Sequence, residues 1–167
     1  MRPHRARAHP VRIPVSEHAR ADFSGRERTG VASFYARFFA GRAMANGAPM
    51  NPHGDNAASR TLPLGTVAKV TNLKTGKSAL ITIQDRGPYV RGRIVDLSPA
   101  TAHKIGITRR EGISRVVVAP VAVPLPDGSI KRGVAARSLK RPLERAARAR
   151  RRARELFAES EADSARR

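Results

Sequence analysis

The sequence predicts a mainly β domain, closed into a barrel, between about residues 30 and 120. Three observations predict it. Val, Ile, Leu and Phe cluster between Val31 and Val123, whereas both ends are rich in Arg and Ala. Inside that span, short runs alternate apolar and polar residues and are separated by turn residues, which is the period of a half-buried strand. The span also echoes itself. Asp55-Asn56-Ala57-Ala58 reads as a helical turn followed by Leu64-Gly65 and a strand; Ser98-Pro99-Ala100 starts a helix followed by Ile105-Gly106 and a strand. Two similar halves suggest a pseudo-symmetric barrel, and closing the sheet removes exposed strand edges.

Taken in order, residues 1–29 mix Arg, His, Pro and Ala without periodicity and read as a disordered basic tail. Residues 30–36 form the first strand, and residues 66–71 and 77–84 the next two. Lys74-Thr75-Gly76 joins that pair into a hairpin, with Gly supplying a positive φ. Residues 93–97 form a fourth strand and residues 112–119 the last. Between them Ser98 caps a short helix, Pro99 occupies its first turn and Gly106 closes it. Residues 121–167 read as a linker and a basic helix over 138–158, where Leu139, Leu143, Ala146, Ala147, Leu156 and Phe157 lie among Arg, Ala and Glu. That helix is either a solvated tail or a contact for an anionic surface.

The chain carries 33 Lys and Arg against 13 Asp and Glu, a net charge of +20. Residues 30–120 alone hold 13 basic and 4 acidic side chains, so the folded part is basic as well as the tails. Such a field draws the protein to polyanions: nucleic acid, anionic lipid or acidic cell-wall polymer. The absence of cysteine excludes a disulfide framework, a thiolate zinc site, a Cys nucleophile and a lipobox. No run approaches the ~20 apolar residues of a membrane-spanning helix. Residues 1–28 lack the apolar core of a signal peptide.

The acids of the folded region are Asp55, Asp85, Asp96 and Glu111. Ala79, Ile81 and Ile83 share one strand face, and Asp85 continues that row if the strand stays regular. A carboxyl at the end of an apolar row is partly desolvated, its pKa rises, and it can serve as a general acid. The structural reading is that Asp85 caps the turn Arg86-Gly87-Pro88 or pairs with Arg86. Asp96 precedes the helix start, where the dipole favours an acid, and Asp55 reads as a helix cap. His4, His9, His18, His53 and His103 show no metal-ligand spacing. Ser59 lacks a Gly-x-Ser-x-Gly context, and there is no phosphate-binding glycine loop. Some of Phe34, Tyr35, Phe38, Phe39 and Tyr89 must supply core, while Tyr35 and Tyr89 could instead stack on sugar rings or nucleobases.

Six blocks occur in a telling order: 30–35 (Gly-Val-Ala-Ser-Phe-Tyr), Ala45-Asn46-Gly47, 57–66, Val70-Thr71-Asn72-Leu73, 84–89 (Gln-Asp-Arg-Gly-Pro-Tyr) and 92–98. Together, over about residues 30–119, they resemble the rare lipoprotein A family of septal peptidoglycan lytic transglycosylases. The resemblance implies a six-stranded double-psi β-barrel, shared with expansins and some endoglucanases. It implies endolytic cleavage between N-acetylmuramic acid and N-acetylglucosamine, without water, leaving 1,6-anhydro ends, preferably on glycan lacking stem peptides. Asp85 matches the catalytic acid, and Asp96, matching the acid of an expansin-like His-Phe-Asp block, is the second candidate. Ser59 stands where members have His, and Ala48 where they have Glu. Tyr35, Asn46, Arg60, Arg86 and Tyr89 fall in the matched blocks as substrate contacts. No cofactor or metal is implied. The location implied is the periplasm or cell envelope; read literally the chain is not exported by the usual route, and a misplaced start or a lost leader would give the same sequence. A non-catalytic, expansin-like peptidoglycan-binding barrel is the second reading. Nucleic-acid binding rests on charge alone and lacks a recognition motif.

Overall fold

The computed structural model describes residues 20–139 together with 151, 152, 154, 155 and 158. Among these the chain forms β1 (Arg28–Phe34), a 3₁₀ turn (Arg37–Phe39), β2 (Asn56–Ala58), β3 (Val67–Asn72), β4 (Ser78–Asp85), β5 (Arg93–Leu97), α1 (Pro99–Lys104), β6 (Ser114–Pro124) and β7 (Ile130–Arg132). The sheet runs β1-β5-β2-β4-β3-β6 and closes through β6 pairing with β1, while β7 adds to β6 outside the ring. β1–β5 and β2–β4 are parallel and the remaining pairs antiparallel. The expected mainly β, six-stranded closed barrel is what forms.

Alternation sets β3 and β4. Ala68, Val70 and Asn72 turn inward from one strand, and Ala79, Ile81 and Ile83 from the other. With Val95, Leu97, Ile105, Val116 and Val118 they fill the interior, and Ala32 and Ala57 sit between the larger side chains. Mixing small and large residues fits the taper of a narrow barrel. Asn72 is the polar member of this row. Its Nδ2 donates to Ile105 O at 2.9 Å, and its Oδ1 accepts from Lys74 N and Ser114 Oγ. It thereby ties the β3–β4 turn to the α1 exit. Gly106 lies there at φ +83°, where a Cβ would approach Thr75 Cγ2 to 2.8 Å.

The cap at Ser98 is as expected. Its Oγ accepts from Thr101 N at 3.2 Å and donates to Gly54 O at 2.6 Å, fully buried. Ser98→Ala removes the cap and the hydrogen bond to the half-buried Gly54 carbonyl, so the domain should lose about 1–2 kcal/mol. A urea unfolding midpoint that falls with an unchanged slope would show it; an unchanged midpoint would contradict it.

Three expectations need correction. The turn at Asp55–Ala58 is not helical: Asn56–Ala58 is a strand, held between β4 and β5. Asp55 is therefore no helix cap, and its Oδ2 accepts instead from Thr82 Oγ1 at 2.8 Å. Next, the folded region begins before residue 30. Asp22 N donates to Thr61 O, the Asp22 carboxylate accepts from Ser24 N and Arg28 Nε, and β1 starts at Arg28. The rest of the proposed tail, residues 1–19, lies outside the described residues. Finally, the linker after residue 120 is structured at its start. β6 continues to Pro124 and returns as β7 through a turn in which Asp127 Oδ1 accepts from Ser129 N and Gly128 has φ +85°. Of the helix expected over 138–158, residues 138, 139, 151, 152, 154, 155 and 158 are described and helical, with Arg151 and Glu155 paired one turn apart; the remainder of that expectation lies outside the described residues.

Candidate active site

A break in register creates the site. Along β2 and β4, Asn56 pairs with Thr82 and Ala57 with Ile83, but Ala58 pairs with Asp85. Gln84 is skipped, as at a β-bulge, and a bulge re-aims the side chains beyond it. Asp85 does not continue the inward row of Ala79, Ile81 and Ile83. It joins Ala58, which packs with Tyr35, Met44 and Met50 in a second cluster beneath the 36–50 loop. The expectation of Asp85 on the core face therefore fails, because it assumed a regular strand.

On its other side Ala58 pairs with Asp96 of β5, and Asp96 pairs in turn with Ser33 of β1. Ser33, Asp96, Ala58 and Asp85 thus form one row across four strands. Neighbouring strands are about 4.8 Å apart, so the two acids stand on one face with only a methyl group between their backbones.

Asp85 is half-buried, and its carboxylate meets three donors. Oδ1 accepts from Ala45 N at 2.9 Å and Arg86 N at 2.8 Å, and Oδ2 from Tyr35 Oη at 2.9 Å. The bond from Arg86 N is the turn-capping role weighed from sequence. The contacts from Tyr35 and the 36–50 loop arise over 50 and 40 residues of chain and were not foreseen. Tyr35 is only 8% exposed. Burial, then the hydrogen bond to Asp85 and the charges of Asp85 and Asp96, push its phenol well above the ordinary tyrosine value. It stays a donor fixed on Asp85 rather than a flat face for a sugar.

Burial likewise pushes the Asp96 carboxyl above the usual range; the Ser33 Oγ bond at 2.7 Å and Arg93 oppose this, and the charge of Asp85 adds to it. The consequence has a definite sign. With the folded value above the unfolded one of about 3.9, the contribution of Asp96 to stability is present in acid and lost as pH rises through the folded value. Asp96→Asn keeps an acceptor for Ser33 and escapes that loss. Relative to the parent, its stability should rise between about pH 3 and pH 7, as read by urea unfolding at both. A difference identical at the two pH values would refute it.

The other sequence candidates are scattered. Ser59 is buried and its Oγ accepts from Thr61 N and Leu62 N, closing a local turn. Arg86 Nη1 donates to Ser59 O and Leu62 O, bracing the same turn. Asn46 Oδ1 accepts from Ala48 N, shaping the loop that delivers Ala45 N, and Ala48 packs against the Tyr35–Met44–Met50 cluster. Arg60 lines a cavity of about 80 Å³ with Arg26, Arg28 and Ile94, which Asp85 does not line. Tyr89 is 79% exposed just beyond the Asp85 turn. Sequence reasoning missed Ser33 and the Ala45 amide. No local signal marks them, since strand register and loop closure bring them in. Among the described residues no cluster of His, Cys, Asp and Glu is suited to a metal.

The chain is thus a closed six-stranded barrel that carries two carboxylates in one row across its strands, one of them tied to a buried tyrosine. Residues 27–118, more than half of the chain, match the double-psi β-barrel family described as lytic transglycolase, and the chain belongs to that family. It is 46% identical over 93 residues to the probable endolytic peptidoglycan transglycosylase RlpA of Synechocystis sp., covering 56% of this chain and 29% of that protein. It is 35% identical over 132 residues to the endolytic peptidoglycan transglycosylase RlpA of Vibrio cholerae, covering 71% of this chain and 50% of that one. The chain thus spans between about a quarter and a half of these relatives. Among solved structures, the Streptomyces papain inhibitor aligns with a TM-score of 0.45 and 24% identity, covering 57% of this chain and 94% of that one.

Proposed function

We propose that this chain is an endolytic peptidoglycan transglycosylase domain of the cell envelope, cutting glycan strands between N-acetylmuramic acid and N-acetylglucosamine with Asp85 as general acid and base. The observation that carries this reading is the Asp85 carboxyl, gripped by Ala45 N, Arg86 N and Tyr35 Oη within the segment matched to the family. Its relatives named as endolytic peptidoglycan transglycosylases support the substrate.

One carboxyl suffices for this chemistry. Asp85 gives its proton to the glycosidic oxygen as the bond from C1 breaks. The C6 hydroxyl of the same sugar then closes on C1 and returns a proton to Asp85. No water is consumed, and the carboxyl is restored. The nucleophile belongs to the substrate, so proximity replaces the second carboxylate of an ordinary glycosidase. Asp96 stands second, two strands away, and Tyr89 offers an open ring beyond the Asp85 turn.

A second reading, an expansin-like barrel that binds peptidoglycan without cutting it, is favoured by one observation. Ser59 and Ala48 stand where His and Glu would be expected, and both are occupied in local packing rather than on Asp85. Incubating the protein with denuded glycan strands and analysing the products by mass spectrometry separates the two. Release of 1,6-anhydro-ended fragments supports the enzyme. Intact strands together with retained pelleting on sacculi support the binding barrel.

A further inference from the structure

Beyond Tyr35, a cluster of side chains beside Asp85 has no part in the proposed proton transfer. The chain has only seven aromatic residues, five Phe and two Tyr, yet three of them fall within residues 35–39. Phe38 and Phe39 stack with ring centroids 4.2 Å apart, and Phe39 meets Tyr35 edge-on at 5.9 Å. Tyr35 ends on Asp85. A continuous line of rings therefore leads from solvent to the candidate acid.

Phe38, at the outer end, is 65% exposed. It keeps that exposure although Phe39 stacks on it and the Arg42 guanidinium lies over it. A ring left this way at the edge of a site is a stacking surface for the C–H face of a pyranose. The Arg42 guanidinium lies 5.4 Å from the Phe38 centroid and 5.6 Å from that of Phe39. Cation–π contact holds its position but leaves its N–H groups free to bind an anion. Among the described residues it makes no ion pair. The loop is already shaped: Arg42 N donates to Phe39 O, and Met50 N to Arg42 O.

We infer that Phe38 and Arg42 form an acidic-sugar subsite, in which a pyranose ring lies on Phe38 while its carboxylate pairs with Arg42. It rests on the reading of the protein as acting on peptidoglycan and names the feature of the strand that is recognised: the free lactyl carboxylate of N-acetylmuramic acid. A stem peptide converts that carboxylate to an amide, which has no charge for the guanidinium to pair with, whereas a stripped strand presents it for a charge-assisted, bidentate bond. The closeness of Asp85 and Asp96 disfavours a strand with a phosphate at every unit, which sets an acidic glycan ahead of nucleic acid.

The test uses the full chain in an Asp85→Asn background, which prevents turnover. Binding is measured to three probes: denuded glycan strands, the same strands with carboxylates amidated by carbodiimide, and oligo-dT. The parent should bind the acidic strands about tenfold more tightly than the amidated ones, a difference of about 1.4 kcal/mol. Arg42→Gln should erase that preference and leave affinity for amidated strands unchanged. Phe38→Ala should weaken both strands about tenfold, and Phe38→Tyr should restore them, which excludes a folding defect. A preference that survives Arg42→Gln, binding indifferent to Phe38→Ala, tighter binding of oligo-dT, or a parent that binds no strand would each overturn the subsite. The enzymatic reading fails separately: wild-type protein that shows this preference but releases no anhydro-ended product keeps the subsite and loses the catalysis.

Discussion

Asp85→Asn is expected to lower release of anhydro-ended fragments by about 10²–10⁴-fold, the usual worth of a positioned general acid. The substitution is nearly isosteric, and the site can keep its shape around it. Oδ1 still accepts from Ala45 N and Arg86 N, and the Tyr35 hydroxyl, which donates to the carboxylate in the parent, can accept from Nδ2 instead. What the variant lacks is a group that gives a proton and takes it back. Initial rates of product formation, followed by mass spectrometry, measure the effect, and a urea midpoint close to that of the parent shows that the fold is intact. Fragment release at the parent rate would remove Asp85 from the chemistry.

The second large effect is on stability. Ile81 sits in the middle of β4, fully buried, among the side chains that fill the barrel. Ile81→Ala takes three carbons from a closed interior whose walls are tied by strand pairing all round and cannot collapse inward. Such a change costs about 2–5 kcal/mol, out of about 5–15 for a whole domain. Ile81→Val should cost about 0.5–1.5 kcal/mol. Urea unfolding of the two variants should separate them clearly, while activity per folded molecule stays at the parent level, because Ile81 points away from the Asp85 face. Equal midpoints for the two would mean that the interior relaxes more freely than a closed barrel should.

The same contrast between face and interior decides how much was legible in the sequence. β3, β4 and β5 announce themselves through alternation, and Ser98-Pro99 and Gly106 through end chemistry, because these signals are local. β2 does not. Asn56-Ala57-Ala58 is three residues long and carries no β-branched side chain, so alone it resembles a helical turn; pairing on both sides makes it a strand. The β6–β7 turn carries its own local mark, since Pro126-Asp127-Gly128 is a turn signature between alternating residues. Asp85 was identified through its block, but its direction was not, because a skipped residue in the register leaves no mark in composition. Composition leaves Tyr35 open between core and a stacking ring. Its hydroxyl finds Asp85 only once the 36–50 loop has folded over the barrel.

The row of Ser33, Asp96, Ala58 and Asp85 draws alternately on β1, β5, β2 and β4. Two of those strands come early in the chain and two come late, and they interleave. No early fragment holds even half of the constellation in a usable form. The acid pair has no flanking support until residue 97 has been made and seated, and contacts of such range form late and slowly. A chain that stops before β5 therefore lacks Asp96 and one of the two strands that hold β2, and the row cannot assemble from it.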